Sequence, residues 1–520
     1  MSNLRPGILL FLIFFTYSRS YSQLSSKEVD QLVENTISKF KVAGGAVGIV
    51  KDGEIIHAKG YGLKSINSKK KVNKHTQFAI ASNTKAFTAT ALAILVEQGK
   101  IKWEDKVIRH LPEFKMYNNY VTENFNIQDL LTHRSGLAMG AGDLMVVPPG
   151  SDFTIDDILS SFQYFVPQST FRTSYNYSNL MYLVAGELIS RVSNMSYEAF
   201  IEQHIFQPLN MNHSYSDLSK ISDKSNLATP HLSNSGKLKE ITHFEQTVNS
   251  AAGGIYSNVE DLCQWMLIHL NKGKYGKSLD SQLFTEANQR EMWKIHNSFV
   301  TNTNERYNFH FSGYGLGWDL KDIRGNMAVS HTGLLPGMAS QTILIPDLKL
   351  GIVVLINSSD EVGFSPTDPI AFSILDSYLG LDDFNWMDKT YQSLQKGNNQ
   401  ADSTVSVVWK TVKSNANHQL ATEDYIGVYK DRWFGKVEIF LNKGQLWFKS
   451  QRSPKLNGKM SYYKANAFAI RWEYQDLNGD AFAIFSLDEE GKAQSIRMKG
   501  ISPEIDFSFD FQDLDLQRVE

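Results

Sequence analysis

Ser82 and Lys85 stand three residues apart in Ser82-Asn-Thr-Lys85, a spacing that on a helix places the amine one turn above the hydroxyl. A lysine held neutral by burial can take the serine proton, which is the chemistry of an activated nucleophile. The same S-x-x-K spacing recurs at Ser38, Ser68, Ser393 and Ser461, and context separates the five. Ser38 falls on an amphipathic helix, Ser68 in a lysine run, Ser393 near a linker and Ser461 in a β-rich tail. Only Ser82 opens a buried helix, where first-turn amides can donate to a developing oxyanion. The plainer alternative makes Ser82 a helix N-cap and Lys85 a snorkelling surface residue.

Two further groups could act with this pair. In Tyr177-Ser-Asn179 a phenol beside a cation can shuttle the nucleophile's proton, and the asparagine amide can orient a substrate carbonyl. Tyr256-Ser-Asn258 has the same letters, but Ser257 and Glu260 there read as a capping box opening a helix through Trp265, so a structural role suffices. In His331-Thr332-Gly333 the glycine admits close backbone approach. The histidine and threonine offer a polar edge that can bind a carboxylate or assist proton transfer. Taken alone, that triplet is also satisfied by a turn at a strand end.

The elements that must hold these groups follow from the apolar periods. Leu32, Val33, Ile37 and Phe40 fall at helical spacing, and Ala46 to Val50 and Ile55 to Lys59 flank Asp52-Gly53 as a β-hairpin. Ala79 to Val96 is a nearly all-apolar helix that must be buried on most faces. Helices and loops fill Phe125 to about Ser250; strands return at Met327 to Ser330, Gln341 to Ile345 and Leu350 to Ile356, and a helix closes at Ile370 to Leu379. This is an α+β pattern: an antiparallel sheet joining both chain ends, flanked by helices, with an all-helical region beside it, over residues 24–383. Residues 384–422 read as a linker, because Gly397-Asn-Asn-Gln-Ala-Asp-Ser403 is polar and turn-rich. From 423 to 520, alternating runs such as Val437, Ile439 and Leu441 are punctuated by Asn442-Lys-Gly444, Asn478-Gly479 and Glu490-Gly491. They predict a small all-β, barrel-like domain.

The order S-x-x-K, Y-S-N, H-T-G resembles the serine β-lactamase and penicillin-binding protein superfamily, in its class C-like branch of β-lactamases, D-aminopeptidases, D,D-carboxypeptidases and esterases. Leu130-Leu-Thr-His-Arg-Ser-Gly-Leu137, Phe206-Gln-Pro-Leu-Asn-Met211, Ala252-Gly-Gly-Ile-Tyr-Ser257 and Gly351-Ile-Val-Val-Leu-Ile-Asn357 look like stretches of that family, and the likeness runs from about Val29 to Leu381. The resemblance implies Ser82 as nucleophile, Lys85 and Tyr177 as proton-transfer residues, and Asn179, His331, Thr332 and Gly333 as substrate-binding. It implies an oxyanion hole made by the amides of Ser82 and Leu334. His331 stands where penicillin-hydrolysing members usually carry lysine, which weakens the expectation of carboxylate recognition. The β-rich tail, opening at Tyr425-Ile-Gly-Val-Tyr429, looks like the lipocalin-like domain that follows some of these hydrolases.

Composition bounds the partners. Lys plus Arg total 52 against 55 acids, a net charge of -3, so no whole-molecule footprint for nucleic acid exists and a small molecule or peptide is the expected partner. The single cysteine, Cys263, excludes an intramolecular disulfide and any cysteine cluster for a metal, and in Asp261-Leu-Cys-Gln-Trp-Met266 it reads as a buried apolar thiol. Arg5, the apolar run Ile8 to Phe15 and the small-residue pattern Ser20-Tyr21-Ser22 form a signal peptide over residues 1–22. No later apolar run is long enough to span a bilayer. The sequence therefore predicts an exported, periplasmic or secreted serine hydrolase with no metal or cofactor. It would work through an acyl-enzyme on amide or ester bonds, first of all in peptides containing D-amino acids. A carboxylesterase, a β-lactamase or a noncatalytic penicillin-binding sensor are the alternatives.

Overall fold

The computed structural model describes residues 23–519 except 235–236, 246–247, 301–304, 361–364 and 419–420, and the expected signal peptide lies outside the described residues. Helix α1, Ser26–Phe40, opens on a capping box between Ser25 and Glu28. It leads into strands β1, Gly44–Lys51, and β2, Glu54–Gly62. Their turn residues Asp52 and Gly53 have φ of 51° and 89°, the left-handed pair that matches the twist of a two-residue hairpin. Helices α2, Thr84–Glu97, α3, Leu180–Ser193, and α4, Val259–Leu270, form the helical side. Strands β3, Asn297–Ser298, β4, Ser312–Tyr314, β5, Asp319–Ile323, β6, Asn326–Leu335, β7, Met338–Ile345, and β8, Leu350–Ile356, precede helix α5, Thr367–Tyr378.

Among the described residues these strands make one antiparallel sheet in the order β2-β1-β8-β7-β6-β5-β4-β3, so β1 pairs with the last strand, Val47 opposite Val354. Period-2 alternation sends the two faces of β1 to different layers. Val47 and Ile49 pack with Val29 and Val33 of α1 and Ile370 and Ile374 of α5. Ala46 and Val50 belong to the larger core that holds Phe87, Leu183 and Met266 of the helical side. Cys263 sits in that core as the expected buried free thiol, with burial pushing its pKa up.

Strands β9 to β16, Gly427–Asp431, Gly435–Asn442, Gln445–Ser450, Asn457–Lys464, Ala467–Trp472, Ala481–Leu487, Ala493–Gly500 and Leu516–Arg518, close into a barrel. Every second residue points inward, as in Phe468 and Ile470 or Ala481, Ala483 and Phe485, all of them buried. The barrel is docked on the helical side: Trp433 lies 5.0 Å from Phe165, and Arg452 grips Asp152 and Asp157 at 2.7 and 2.8 Å.

Four local expectations change. The apolar helix begins at Thr84 and not Ala79, because Phe78–Ala79 pairs as a short strand with Tyr256–Ser257. The cap of α4 is Asn258, whose side chain accepts from the Glu260 and Asp261 amides, while Ser257 Oγ pairs with Ser214 Oγ at 2.7 Å. A hairpin of His231–Asn234 and Lys237–Glu240 interrupts the helical block, and its polar residues carry no alternation that would reveal it. Between the domains stands helix α6, Trp386–Ser414, with Gly397 to Ser403 inside it. Turn propensity loses there to packing: Trp386 packs on the α1/α5 core, and Val405, Val408, Trp409 and Val412 pack on Ala469, Phe482 and Ile501 of the barrel.

Candidate active site

Ser82 lies in a single 3-10 turn, Ala81–Asn83, between the short strand at Phe78–Ala79 and helix α2. Ala81 has φ +48°, a left-handed conformation worth about 1 kcal/mol of strain for a residue with a Cβ. The turn is over-determined by its neighbours. Ile80 N donates to the Ile255 carbonyl at 3.0 Å, Ser340 Oγ donates to the Ile80 carbonyl at 2.5 Å, and Asn83 Nδ2 donates to Ser340 Oγ at 2.7 Å. Strand β6 runs close beside it. A Cβ on Gly333 would stand 2.2 Å from the Ile80 carbonyl oxygen and 2.9 Å from Ser82 N, so only glycine lets Leu334 and the serine backbone share one corner of the site.

Lys85 is fully buried one helical turn on. Its Nζ donates to Ser82 Oγ at 3.0 Å, to Asn179 Oδ1 at 2.8 Å and to the Ala252 carbonyl at 2.8 Å. Burial pushes the amine down to about 7, against the pull of Asp143 in the other direction. Asn179 bridges the two, since its Nδ2 donates to Asp143 Oδ2 at 2.8 Å. Burial in turn raises the Asp143 carboxyl to about 7, outweighing the amide and hydroxyl donors around it. The surface-lysine alternative is thereby excluded.

The Tyr177 ring centroid is 4.8 Å from Lys85 Nζ, and the His133 ring stacks on Tyr177 at 4.2 Å. Burial raises the Tyr177 phenol well above 10, although the Ser82 hydroxyl beside it favours the anion. His331 joins the same cluster from β6. Its Nδ1 donates to the Thr332 carbonyl at 2.6 Å, which leaves Nε2 to accept from the Tyr314 hydroxyl at 2.8 Å. Burial first, then the Lys85 charge, lower its pKa to about 3. His331 is thus a neutral imidazole with both nitrogens engaged, not a cation facing the cleft.

Ser82, Tyr177, Asn179, His331, Thr332 and Leu334 line one cleft of about 380 Å³. Asp319, Asp360, Asp476 and Asp506 line it too, and among the described residues no Lys or Arg does. Asp319 is raised by burial to about 6, and its charge helps push up the Tyr175 and Tyr177 phenols. The barrel supplies part of the wall through Leu477, Phe507 and Phe509.

The motifs anticipated the groups around Ser82, and the structure brings Ser82, Lys85, Tyr177, Asn179, His331, Thr332 and Leu334 together, with Gly333 as spacer. Sequence reasoning missed Asp143, the Ala252 carbonyl, Tyr314 and the barrel wall. Ala252 lay within a family-like stretch, and its backbone role has no side-chain signal. Asp143, an acid between the apolar residues Ala141 and Leu144-Met145, was a cue that could have been read.

The family model described as Beta-lactamase matches residues 29–372, and one described as Domain of unknown function (DUF3471) matches residues 411–518. The Unguisins hydrolase ungD of Aspergillus violaceofuscus is 26% identical over 442 residues, 80% of this chain and 76% of that protein. Protein flp of Staphylococcus aureus strain MW2 is 27% identical over 337 residues, 65% of this chain and 64% of that one. The octameric penicillin-binding protein homologue from Pyrococcus abyssi superposes with a TM-score of 0.60 at 20% identity, over 95% of this chain and 100% of that chain. The penicillin binding protein from Bacillus halodurans gives 0.54 at 21% identity, over 66% and 98%. At those identities the solved structures show a shared fold. The family match takes in the Ala81–Asn83 turn, Asn179 and strand β6 within one continuous span, and the chain belongs to the Beta-lactamase family.

Proposed function

We propose that this protein is an exported serine hydrolase that cleaves amide or ester bonds through an acyl-enzyme on Ser82. The observation that carries the reading is the buried Lys85 amine, 3.0 Å from Ser82 Oγ, with its pKa lowered to about 7. A base poised there is half neutral at physiological pH, whereas the Tyr177 phenol, far above 10, stays protonated. Lys85 therefore takes the Ser82 proton as Oγ bonds to the substrate carbonyl carbon. The oxyanion accepts from the amides of Ser82 and Leu334. On collapse the carbon–nitrogen or carbon–oxygen bond breaks, and the proton passes from Lys85 through the Tyr177 hydroxyl to the leaving group. Water then attacks the acyl carbonyl and releases the acid and free Ser82.

The cleft's charge supports the choice of substrate. With four carboxyl groups on its walls, no lining Lys or Arg among the described residues and a neutral His331, it favours small-molecule or peptide substrates that are neutral or carry an ammonium over those bearing a free carboxylate. Peptides with a free amino group, including D-amino-acid peptides, come first, carboxylic esters second and penicillins third. The name of the Unguisins hydrolase ungD is in keeping with hydrolysis. Labelling by a fluorophosphonate, read by intact mass, tests the nucleophile: one adduct is expected on wild type and none on Ser82→Ala. Turnover on a panel of amino-acid amides, neutral esters and penicillins tests the rest. Adduct formation without turnover of any member would replace the enzyme by a sensor.

A further inference from the structure

We infer that Asp510, in the C-terminal domain, is a positioning residue for Lys85, because it holds the turn whose Asp143 orients Asn179 against the amine. The inference rests on the proposed role of Lys85 as base. Asp510 is fully buried, and its Oδ2 and Oδ1 accept from the Gly142 and Leu144 amides at 2.6 and 2.9 Å. Those amides open the 3-10 turn Asp143–Met145 and have no carbonyl of that turn to bond, so an acceptor must come from elsewhere. It comes from residue 510, more than 360 positions downstream. Asp143, between the two gripped amides, accepts from Asn179 Nδ2 at 2.8 Å, and Asn179 Oδ1 accepts from Lys85 Nζ at 2.8 Å. Hydrogen bonds joined through the Gly142–Leu144 backbone thus link the C-terminal domain to the base.

The contact beside that path is equally tight. Gly140 N donates to the Tyr177 carbonyl at 2.9 Å, and a Cβ on Gly140, φ +72°, would meet the Phe507 carbonyl oxygen at 2.5 Å. The Phe507 ring stands edge-on to Tyr177 at 5.7 Å. Residues 507 and 510 therefore seal the side of the site on which Asp143 lies, and that seal keeps water from the amine. Other titratable groups facing Lys85 are Tyr177, Tyr182, His133 and His331, while Asp506 and Asp510 face Asp143, and burial, then Asp513 and Asp143, push the Asp510 carboxyl well up. The two histidines are held neutral and the two phenols protonated by burial, so Asp143 is the neighbour whose charge changes near neutral pH. Loosening the turn lets water reach both groups. The amine is then less desolvated and Asp143 more anionic, and both changes raise the Lys85 pKa.

The test is the pH profile of kcat/KM for p-nitrophenyl acetate, measured on the full chain as wild type, Asp510→Ala and Asp510→Asn between pH 5 and 9. For Asp510→Ala we expect kcat to fall tenfold or more with KM within about threefold, and the acidic limb to move up by about one pH unit. Asp510→Asn retains the shape and one acceptor, and should fall between. Phe485→Leu, a barrel-core change away from the turn, controls for lost stability and should leave the limb in place. A limb unmoved in both Asp510 variants overturns the inference, whether activity is retained or falls only with the folded fraction. Wild-type labelling separates this from the underlying reading: no Ser82 adduct removes both, whereas an adduct with an unmoved limb removes the role of Asp510 alone.

Discussion

Replacing Lys85 by methionine is expected to abolish turnover and yet make the protein more stable at neutral pH. The amine is fully buried and its pKa drops from 10.5 to about 7. Because the unfolded chain binds more protons between those two values, burial of this lysine costs stability below pH 7, and the cost fades as pH rises toward 10.5. At 1.36 kcal/mol per pH unit it is about 4 kcal/mol at pH 7 and about 2 kcal/mol at pH 9. Methionine removes it but strands Asn179 Oδ1 and the Ala252 carbonyl, which now accept from Nζ, at about 1 kcal/mol or more each. The balance at pH 7 is a gain of about 1 to 2 kcal/mol. Its pH dependence is the sharper quantity, since the stranded acceptors do not titrate. Urea unfolding of both proteins at pH 6, 7, 8 and 9 should show wild type catching up with the variant by about 2 kcal/mol between pH 7 and 9. A difference that stays constant over that range would mean that Lys85 is charged in the folded protein at all these values, and the case for a neutral base would fail.

In wild type, kcat/KM for a neutral ester should fall about tenfold per pH unit below the Lys85 pKa of about 7. Asp143→Asn, which removes the group that holds that value up, should move this limb to lower pH; a limb that stays put disconnects Asp143 from the amine. Gly333→Ala drives a Cβ to 2.2 Å from the Ile80 carbonyl oxygen and should cost kcat about a hundredfold by displacing β6 from Ser82, while thermal melts report a folded protein; wild-type turnover would show that β6 does not set the site. His331→Lys places an ammonium where a neutral imidazole now binds Tyr314. It should raise the ratio of kcat/KM for a penicillin over that for a neutral ester by about 5- to 30-fold, the equivalent of about 1 to 2 kcal/mol, and an unchanged ratio would place position 331 outside the substrate's reach.

The fold was legible wherever one residue's period carried its partner's position. The Asp52-Gly53 hairpin, the β6 to β8 strands and helix α5 all announce themselves by local pattern, and their sheet follows from joining the chain ends. What misled was local chemistry overruled from a distance. Gly397 to Ser403 carries turn residues, yet it lies in α6 because that helix has apolar positions for two different cores, one near Trp386 and one near Val408. Asn258 displaced Ser257 as a cap because Ser257 already had a partner in Ser214, a contact across 43 residues that no window of sequence contains.

The site divides in the same way, and the division explains what each motif is able to say. S-x-x-K fixes a distance through helix geometry, so Ser82 and Lys85 could be paired from spacing alone. It does not fix a pKa, because the amine's value depends on what excludes water around it, and that is assembled from Ala252, Asn179, Tyr177 and, through Asp143, from Asp510 of another domain. His331 shows the converse. Its neighbours in sequence suggested a polar edge open to a carboxylate, but Tyr314, on a separate strand, takes its remaining nitrogen, and burial removes its charge. The pairing of Ser82 with Lys85 is therefore written in a short motif, while the groups that set the amine's protonation and the charge of the cleft are scattered over the Asp143 turn, the Asn179 cap of α3, the segment at Ala252, β5 and the barrel domain. Changing specificity without losing catalysis should accordingly be easiest at Asp319 and Leu477, which line the cleft without bonding to Lys85.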